Sequence, residues 1–293
     1  MRNRSSYILI LLLMFVALSA LAATVGAWAQ TTPYDLGIDV PTTLGSLTYS
    51  PENIVHHYGT TYSSVLALPA GTPVGALHHL ADGRWLFSPT HPVTLQGSTY
   101  EPRDVVSYNG TNFAMYQQGS GLGIPSTARI DALFVDSSGN SILSFDTWVT
   151  LGGTGYGPSD LVSYNGSFSL YWSGTAMGVP LYANMVGAAV DGLGVLVVSF
   201  DVPTNLGGTD YKPGQFVKWT GSGFASYALD PQWPATTQLR DFAFPASSCA
   251  NTACNDGCWA NGTHPNAGTF AKHTIPMPIE CEVGGGCLTL PCN

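Results

Sequence analysis

The sequence predicts an all-β fold: a four-bladed β-propeller closed by N- and C-terminal strands that share one blade, with a disulfide-rich C-terminal lobe behind it. Three observations carry that expectation. A unit recurs four times along the chain, apolar residues within each unit alternate at a period of two, and the two chain ends each hold the part of a unit that the other lacks.

The unit is visible in LGSLTYSP, LQGSTYEP, LGGTGYGP and LGGTDYKP, which begin at Leu44, Leu95, Leu151 and Leu206. Their tyrosines, Tyr49, Tyr100, Tyr156 and Tyr211, are 51, 56 and 55 residues apart. Each block continues into IVHHYG, VVSYNG, LVSYNG or FVKWTG and then into a short alternating run such as FAMY, FSLY or FASY. The connecting part repeats as well. IDALFVDSSGNSILSFD (130–146) matches MVGAAVDGLGVLVVSFD (185–201) and, more loosely, VGALHHLADGRWLFS (74–88), each reading as two strands around a tight Asp/Ser/Gly turn.

One unit therefore codes four short strands: DALFV, ILSFD, LVSYN and FSLYW in the clearest copy. Four antiparallel strands in so short a unit make one propeller blade. SYNG recurs because each blade needs the same turn between its third and fourth strands, with glycine supplying the positive φ. At the front of the chain LGIDVP, IVHHYG and SSVLAL form three outer strands without an inner one; at the back LRDFAF forms an inner strand without outer partners. Joining them fastens the ring and removes two sheet edges. An open stack, or a larger ring completed by another copy, is the alternative.

The order of these strands resembles NHL-type propeller repeats, in which an apolar inner strand, a short glycine turn and an outward strand recur. Units of the LSFD, VTLGG and Y-x-P-S-D-L-V kind are also similar to tandem repeats in secreted and surface proteins of Gram-negative bacteria. The resemblance covers residues 35–245; it implies blades and brings no catalytic residues with it.

Residues 1–29 read as a secretory signal peptide: Arg2 and Arg4 precede an apolar run that ends at Ala27-Trp28-Ala29. A retained anchor is the rival reading, since that run is long enough to span a bilayer. Residues 30–245 are assigned to the propeller and 246–293 to the lobe. Loss of Arg2 and Arg4 leaves 7 basic against 18 acidic side chains, a net charge of −11, which argues against a nucleic-acid partner. Charged residues make up 9% of the chain and hydrophobic ones 45%, the opposite of a disordered composition. The expected location is secreted, periplasmic or at the cell surface, with no integral membrane segment after cleavage.

All six cysteines, Cys249, Cys254, Cys258, Cys281, Cys287 and Cys292, fall in the last part of the chain. An even number in an exported chain reads as a framework of disulfides whose pairing stays open, and the absence of C-x-x-C disfavours zinc or haem. No cofactor is expected. Asp39, Asp146 and Asp201 recur at one position, with Ser88 placed in the remaining blade, and read as structural rather than calcium-binding.

Among candidate ligand-binding residues, His78 and His79 lie on an inner strand where another unit has Phe134 and Val135. Adjacent strand residues point to opposite faces, so the two rings do not chelate as a pair. Trp148, Trp172 and Trp233 fall in loop-like places where aromatic rings stack on sugars, although packing between blades also explains them. Searches for G-x-S-x-G, H-E-x-x-H, a P-loop or a glycine fingerprint find nothing. The sequence thus points to an exported, non-enzymatic binding or surface-interaction module for an extracellular carbohydrate or protein. A secreted hydrolase or lyase at the channel mouth is the alternative.

Overall fold

In the computed structural model, residues 33–228, 234 and 237–245 are described. Residues 1–29, expected to be a signal peptide, lie outside them, as do Trp233 and all six cysteines.

Within the described residues the chain forms four antiparallel sheets of four strands. The first blade runs β6 (Val74–His79), β7 (Trp85–Pro89), β10 (Val105–Tyr108) and β11 (Phe113–Gln117) from inside to outside. The second runs β12 (Ile130–Val135), β13 (Ser141–Phe145), β16 (Leu161–Tyr164) and β17 (Phe168–Trp172). The third runs β18 (Met185–Val190), β19 (Leu196–Phe200), β22 (Phe216–Trp219) and β23 (Phe224–Ala228). The closing blade takes its inner strand β24 (Leu239–Ala243) from the back of the chain and β1 (Tyr34–Ile38), β4 (Asn53–Tyr58) and β5 (Thr61–Ala67) from the front. Leu36 pairs with Phe242 and Asp35 with Ala243 across that junction, so the shared blade is observed.

The L-G-G-x-x-Y segment is more than a connection between strands. In each blade it folds into a two-stranded hairpin between the second and third strands: β2 (Thr42–Leu44) with β3 (Leu47–Tyr49), β8 (Val93–Leu95) with β9 (Ser98–Tyr100), β14 (Val149–Leu151) with β15 (Thr154–Tyr156), and β20 (Thr204–Leu206) with β21 (Thr209–Tyr211). The hairpin's leucine and tyrosine are buried in every copy, which is why those two residues recur. The Asn-Gly turn behaves as the repeat requires, with φ of 92° at Gly110 and 104° at Gly166.

Stability comes from four apolar clusters, one between each pair of neighbouring blades. Ile54 and Ala243 meet Leu77 and Phe87; Ala76 and Leu86 meet Leu133 and Phe145; Phe134 and Ile142 meet Met185 and Phe200; Val197 and Phe216 meet Leu36 and Phe242. Each fully buried Val, Leu, Ile, Phe or Met among them contributes about 1.5–3 kcal/mol.

The recurrent aspartates have a backbone role. The Asp146 amide donates to the carbonyl of Arg129 while its Oδ1 accepts the Arg129 amide at 2.8 Å; Asp201 makes the same reciprocal pair with Asn184, and Asp39 with Gln238. The remaining blade keeps half of the pair, the Thr90 amide donating to Pro73. Proline has no N–H to offer a carboxylate, so Thr90 replaces aspartate there. Ser88, expected in this series, instead shares a register position with Ser144 and Ser199, and the Ser88 and Ser144 hydroxyls donate to the carbonyls of Pro102 and Pro158.

The axis is filled by one carboxylate. Asp241 on β24 is fully buried, and its Oδ2 accepts the amides of Leu77 at 2.8 Å and Leu133 at 3.1 Å, while its Oδ1 accepts that of Phe242 at 2.7 Å. The amide of Ala188 also hydrogen-bonds to it, so all four inner strands converge on this group. Burial pushes its pKa upward and the four amides oppose that push. The matching positions on the other inner strands are Ala76, Ala132 and Gly187. They leave the room: a Cβ on Gly187 would come within 2.7 Å of the Phe242 ring and 3.2 Å of Asp241 Oδ1.

Candidate functional sites at the two ends of the axis

Asp241 divides the axis into an entry end, where the inner strands begin, and an exit end, where they finish. Because the blades are copies, comparing equivalent register positions shows which residues depart from what the fold alone demands.

At the entry end each inner strand carries a bulge, occupied by Gly75, Asp131, Val186 and Arg240. The second and closing blades oppose each other in the ring, and β12 approaches β24 across it, so the charge of Arg240 acts on Asp131. Asp131 is buried and its Oδ2 accepts the Asn184 side-chain amide at 2.7 Å. Burial pushes its pKa up to about 6; the carboxylate of Asp146 adds to this, and the Asn184 bond, Arg129 and Arg240 oppose it. Arg240 Nε and Asn184 Oδ1 are buried without a hydrogen-bond partner. One donor and one acceptor thus remain unpaired at this end, each at a cost of about 1–3 kcal/mol unless a ligand or water meets it.

The rim at this end is aromatic. Trp148 is 60% exposed and occupies the place that the other blades give to Pro41, Pro92 and Pro203. Its ring lies on the backbone of Gly157, where a Cβ would stand 3.1 Å away. The next residue, Pro158, accepts the amide of Met185, adjacent to Asn184. The indole therefore connects through a few residues to Asn184 and Asp131. Leu181 and Tyr182, 70% and 64% exposed, stand in the loop leading to Asn184, where the corresponding turns carry Ala70-Gly71 and Ser126-Thr127.

Trp172 is placed differently. It is buried between the second and third blades, 6.3 Å from the rings of both Trp219 and Phe224, so a ligand reaches it only by displacing core side chains.

At the exit end the departures cluster where the closing blade meets the first. Asp35 is buried at a position that the other blades give to Leu86, Ile142 and Val197. Its Oδ1 accepts a hydrogen bond from Nδ1 of His56 at 2.7 Å, and its Oδ2 lies 3.9 Å from Nδ1 of His79. His56 replaces Ser107, Ser163 and Lys218; His79 replaces Val135, Val190 and Phe244. The hydrogen bond to Asp35 raises the pKa of His56, whereas burial lowers that of His79, which stacks on Trp85 at 4.1 Å. His78 is pushed down to about 4 by burial and by neighbouring His79. Among the described residues no group of three His, Cys, Asp or Glu side chains is arranged to hold a metal ion.

His57 takes the aromatic position of Tyr108, Tyr164 and Trp219, and its ring stacks on Tyr34 and leans on Tyr62. Sequence reasoning missed Asp35, Asp131, Asn184, Arg240 and the axial Asp241. The signal was present: aligned in register, DALFV, GALHH, VGAAV and RDFAF expose Asp241 among small residues at their second position.

No family model matches the chain, and no curated protein matches it. The resemblance to NHL repeats therefore rests on strand order alone. Among solved structures, the chain is similar to the extracellular domain of a protein described as a hybrid two-component system from B. thetaiotaomicron, at 12% identity and a TM-score of 0.30 over 66% of this chain and 23% of that one. An extracellular domain described as part of a one-component system from the same organism gives 10% and 0.32, over 70% and 30%. A protein of unknown function from Bacteroides caccae gives 11% and 0.31, over 69% and 71%. The chain spans less than a third of the length of the two B. thetaiotaomicron domains. Among the described residues no helix is long and apolar enough to cross a membrane.

Proposed function

We propose that the mature chain is an exported binding propeller whose ligand docks at the entry end, and that this ligand is a carbohydrate. The observation that carries the reading is Trp148: three copies of the unit place proline there, so the fold has no need of an exposed indole, yet the second blade displays one at the same end of the axis as the Asn184–Asp131 pair. An aromatic face supports the C–H surface of a sugar ring, while carboxylate, amide and guanidinium groups bond its hydroxyls in pairs. Asp131, Asn184 and Arg240 supply such groups, two of them with unpaired buried atoms. The signal segment supports export. A protein partner is the outcome to be separated by experiment.

The test is Trp148→Pro, which installs the residue that three blades already accommodate. Glycan-array binding by the mature chain, followed by calorimetric titration with the best glycan, is expected to weaken about tenfold or more in the variant, with no change in its unfolding transition. Undiminished glycan binding by Trp148→Pro, or no glycan bound by the parent, overturns the proposal.

A further inference from the structure

The exit end carries a separate set of departures from the repeat, and its reading does not depend on that of the entry end. Three positions in contact change together: an aliphatic core residue to Asp35, a small or solvated residue to His56, and an aliphatic or aromatic one to His79. Replacing a leucine-type core position by a carboxylate beside two imidazoles costs stability, and such a cost is characteristic of functional sites. We propose that Asp35 and His56 form a general acid–base centre that hydrolyses acyl esters, with His56 as the base and Asp35 as its positioning residue.

The arrangement determines the roles. Asp35, His56 and Ser63 are directly opposite one another in register across β1, β4 and β5. The Asp35 carboxylate engages Nδ1 of His56, which fixes the tautomer and leaves Nε2 for substrate. The His56 side chain is 29% exposed, so solvent and substrate reach it, while Asp35 is almost wholly covered. The chemistry at hand narrows the substrate. Phosphoryl transfer calls for a cation at the phosphate, and the nearby Arg84 is committed to Asp82. Glycoside cleavage calls for two carboxylates flanking the bond, whereas Asp35 already faces an imidazole on each side. Ester hydrolysis requires only a base for water and an acid for the leaving oxygen.

In the step itself, Nε2 of His56 removes a proton from water as the water oxygen bonds to the acyl carbon. The tetrahedral intermediate then expels the alkoxide, breaking the C–O bond, and the imidazolium returns its proton to that oxygen. Ester and water give acid and alcohol, and His56 ends as it began. The titratable groups around His56 are Asp35 on β1, His79 and His78 on β6, and Asp82 with its partner Arg84 in the following turn. His79, held toward the neutral form by burial, leaves the charge of Asp35 to His56.

The experiment follows 4-nitrophenyl acetate hydrolysis by the mature chain across pH. The rate is expected to rise through an inflection above the ordinary imidazole value, and to slow in D2O as a proton transfer in the rate-limiting step requires. His56→Gln is expected to lose about a hundredfold or more. Asp35→Asn is expected to keep the fold and move the inflection to lower pH, which a purely structural role for Asp35 does not produce. His91→Ala, which removes an exposed imidazole elsewhere, is expected to leave the rate unchanged. A parent rate no higher than that of His56→Gln overturns the proposal even if Asp35→Asn fails to fold; an inflection that stays put in a folded Asp35→Asn overturns it equally.

Discussion

At the entry end the second blade places Trp148 where the other three have proline; at the exit end the closing blade places Asp35 where the other three have leucine, isoleucine and valine. The two substitutions weigh on the fold unequally. An indole on the rim exchanges one surface residue for another and costs the ring little. A carboxylate in an aliphatic core position must be desolvated, and its partners His56 and His79 recover only part of that cost. The entry end therefore bears a departure that the fold tolerates, and the exit end one that it holds against a desolvation cost.

The largest effect is expected where the two ends meet. Asp241→Ala removes the acceptor of four converging amides, and the unfolding free energy of the mature chain should fall by about 4 kcal/mol or more, measured from urea midpoints. A loss below about 1 kcal/mol would mean that the axis closes without this carboxylate and that the ends communicate through it. Next in size is the change that erases the exit-end departures, Asp35→Leu with His56→Ser and His79→Val, each taken from another blade. It is expected to stabilise the ring by about 1–4 kcal/mol; destabilisation would show that the Asp35 cluster holds the seam together and remove the contrast drawn above.

Asp131→Asn should have the smallest effect on stability and shows that the entry end also carries a cost. The pKa of Asp131 in the fold is raised to about 6, so its contribution to stability is complete below the ordinary carboxylate range and is lost as pH rises through about 6. At pH 7 the buried, ionised group opposes folding. The amide keeps an oxygen for Asn184 and cannot ionise, so the variant should gain about 2 kcal/mol at pH 7, with the gain shrinking toward pH 4 in thermal unfolding, while glycan binding weakens. A gain independent of pH would assign the effect to packing instead.

Much of the ring was legible because blades are local: a hairpin, a turn and an alternating strand lie within one unit, and LRDFAF had no partners except LGIDVP. Length and turn chemistry did not reveal that the L-G-G-x-x-Y segment closes into its own hairpin, since three-residue strands leave almost no periodicity. The sites were much less legible. Of the histidines singled out, His79 belongs to the Asp35 cluster, but Asp35 itself lies far from it in sequence and resembles any polar residue opening a strand. Trp148 is exposed and Trp172 buried, although both sit beside a strand end in the sequence. Only register, which brings equivalent positions of four blades into one comparison, separates the two. Residues 246–293, which the sequence assigns to a lobe, and Trp233 fall outside the described residues.

The carboxylate on the axis also works as a gauge. Two oxygens less than the width of a peptide apart satisfy four amides only because four strands bring those amides within hydrogen-bond distance of one point. Insertion of a fifth copy of the unit would lengthen the circumference and carry at least some of the amides out of range. A chain carrying Asp241 thus counts its own blades, and duplication of a unit would have to alter this residue before the circle could grow.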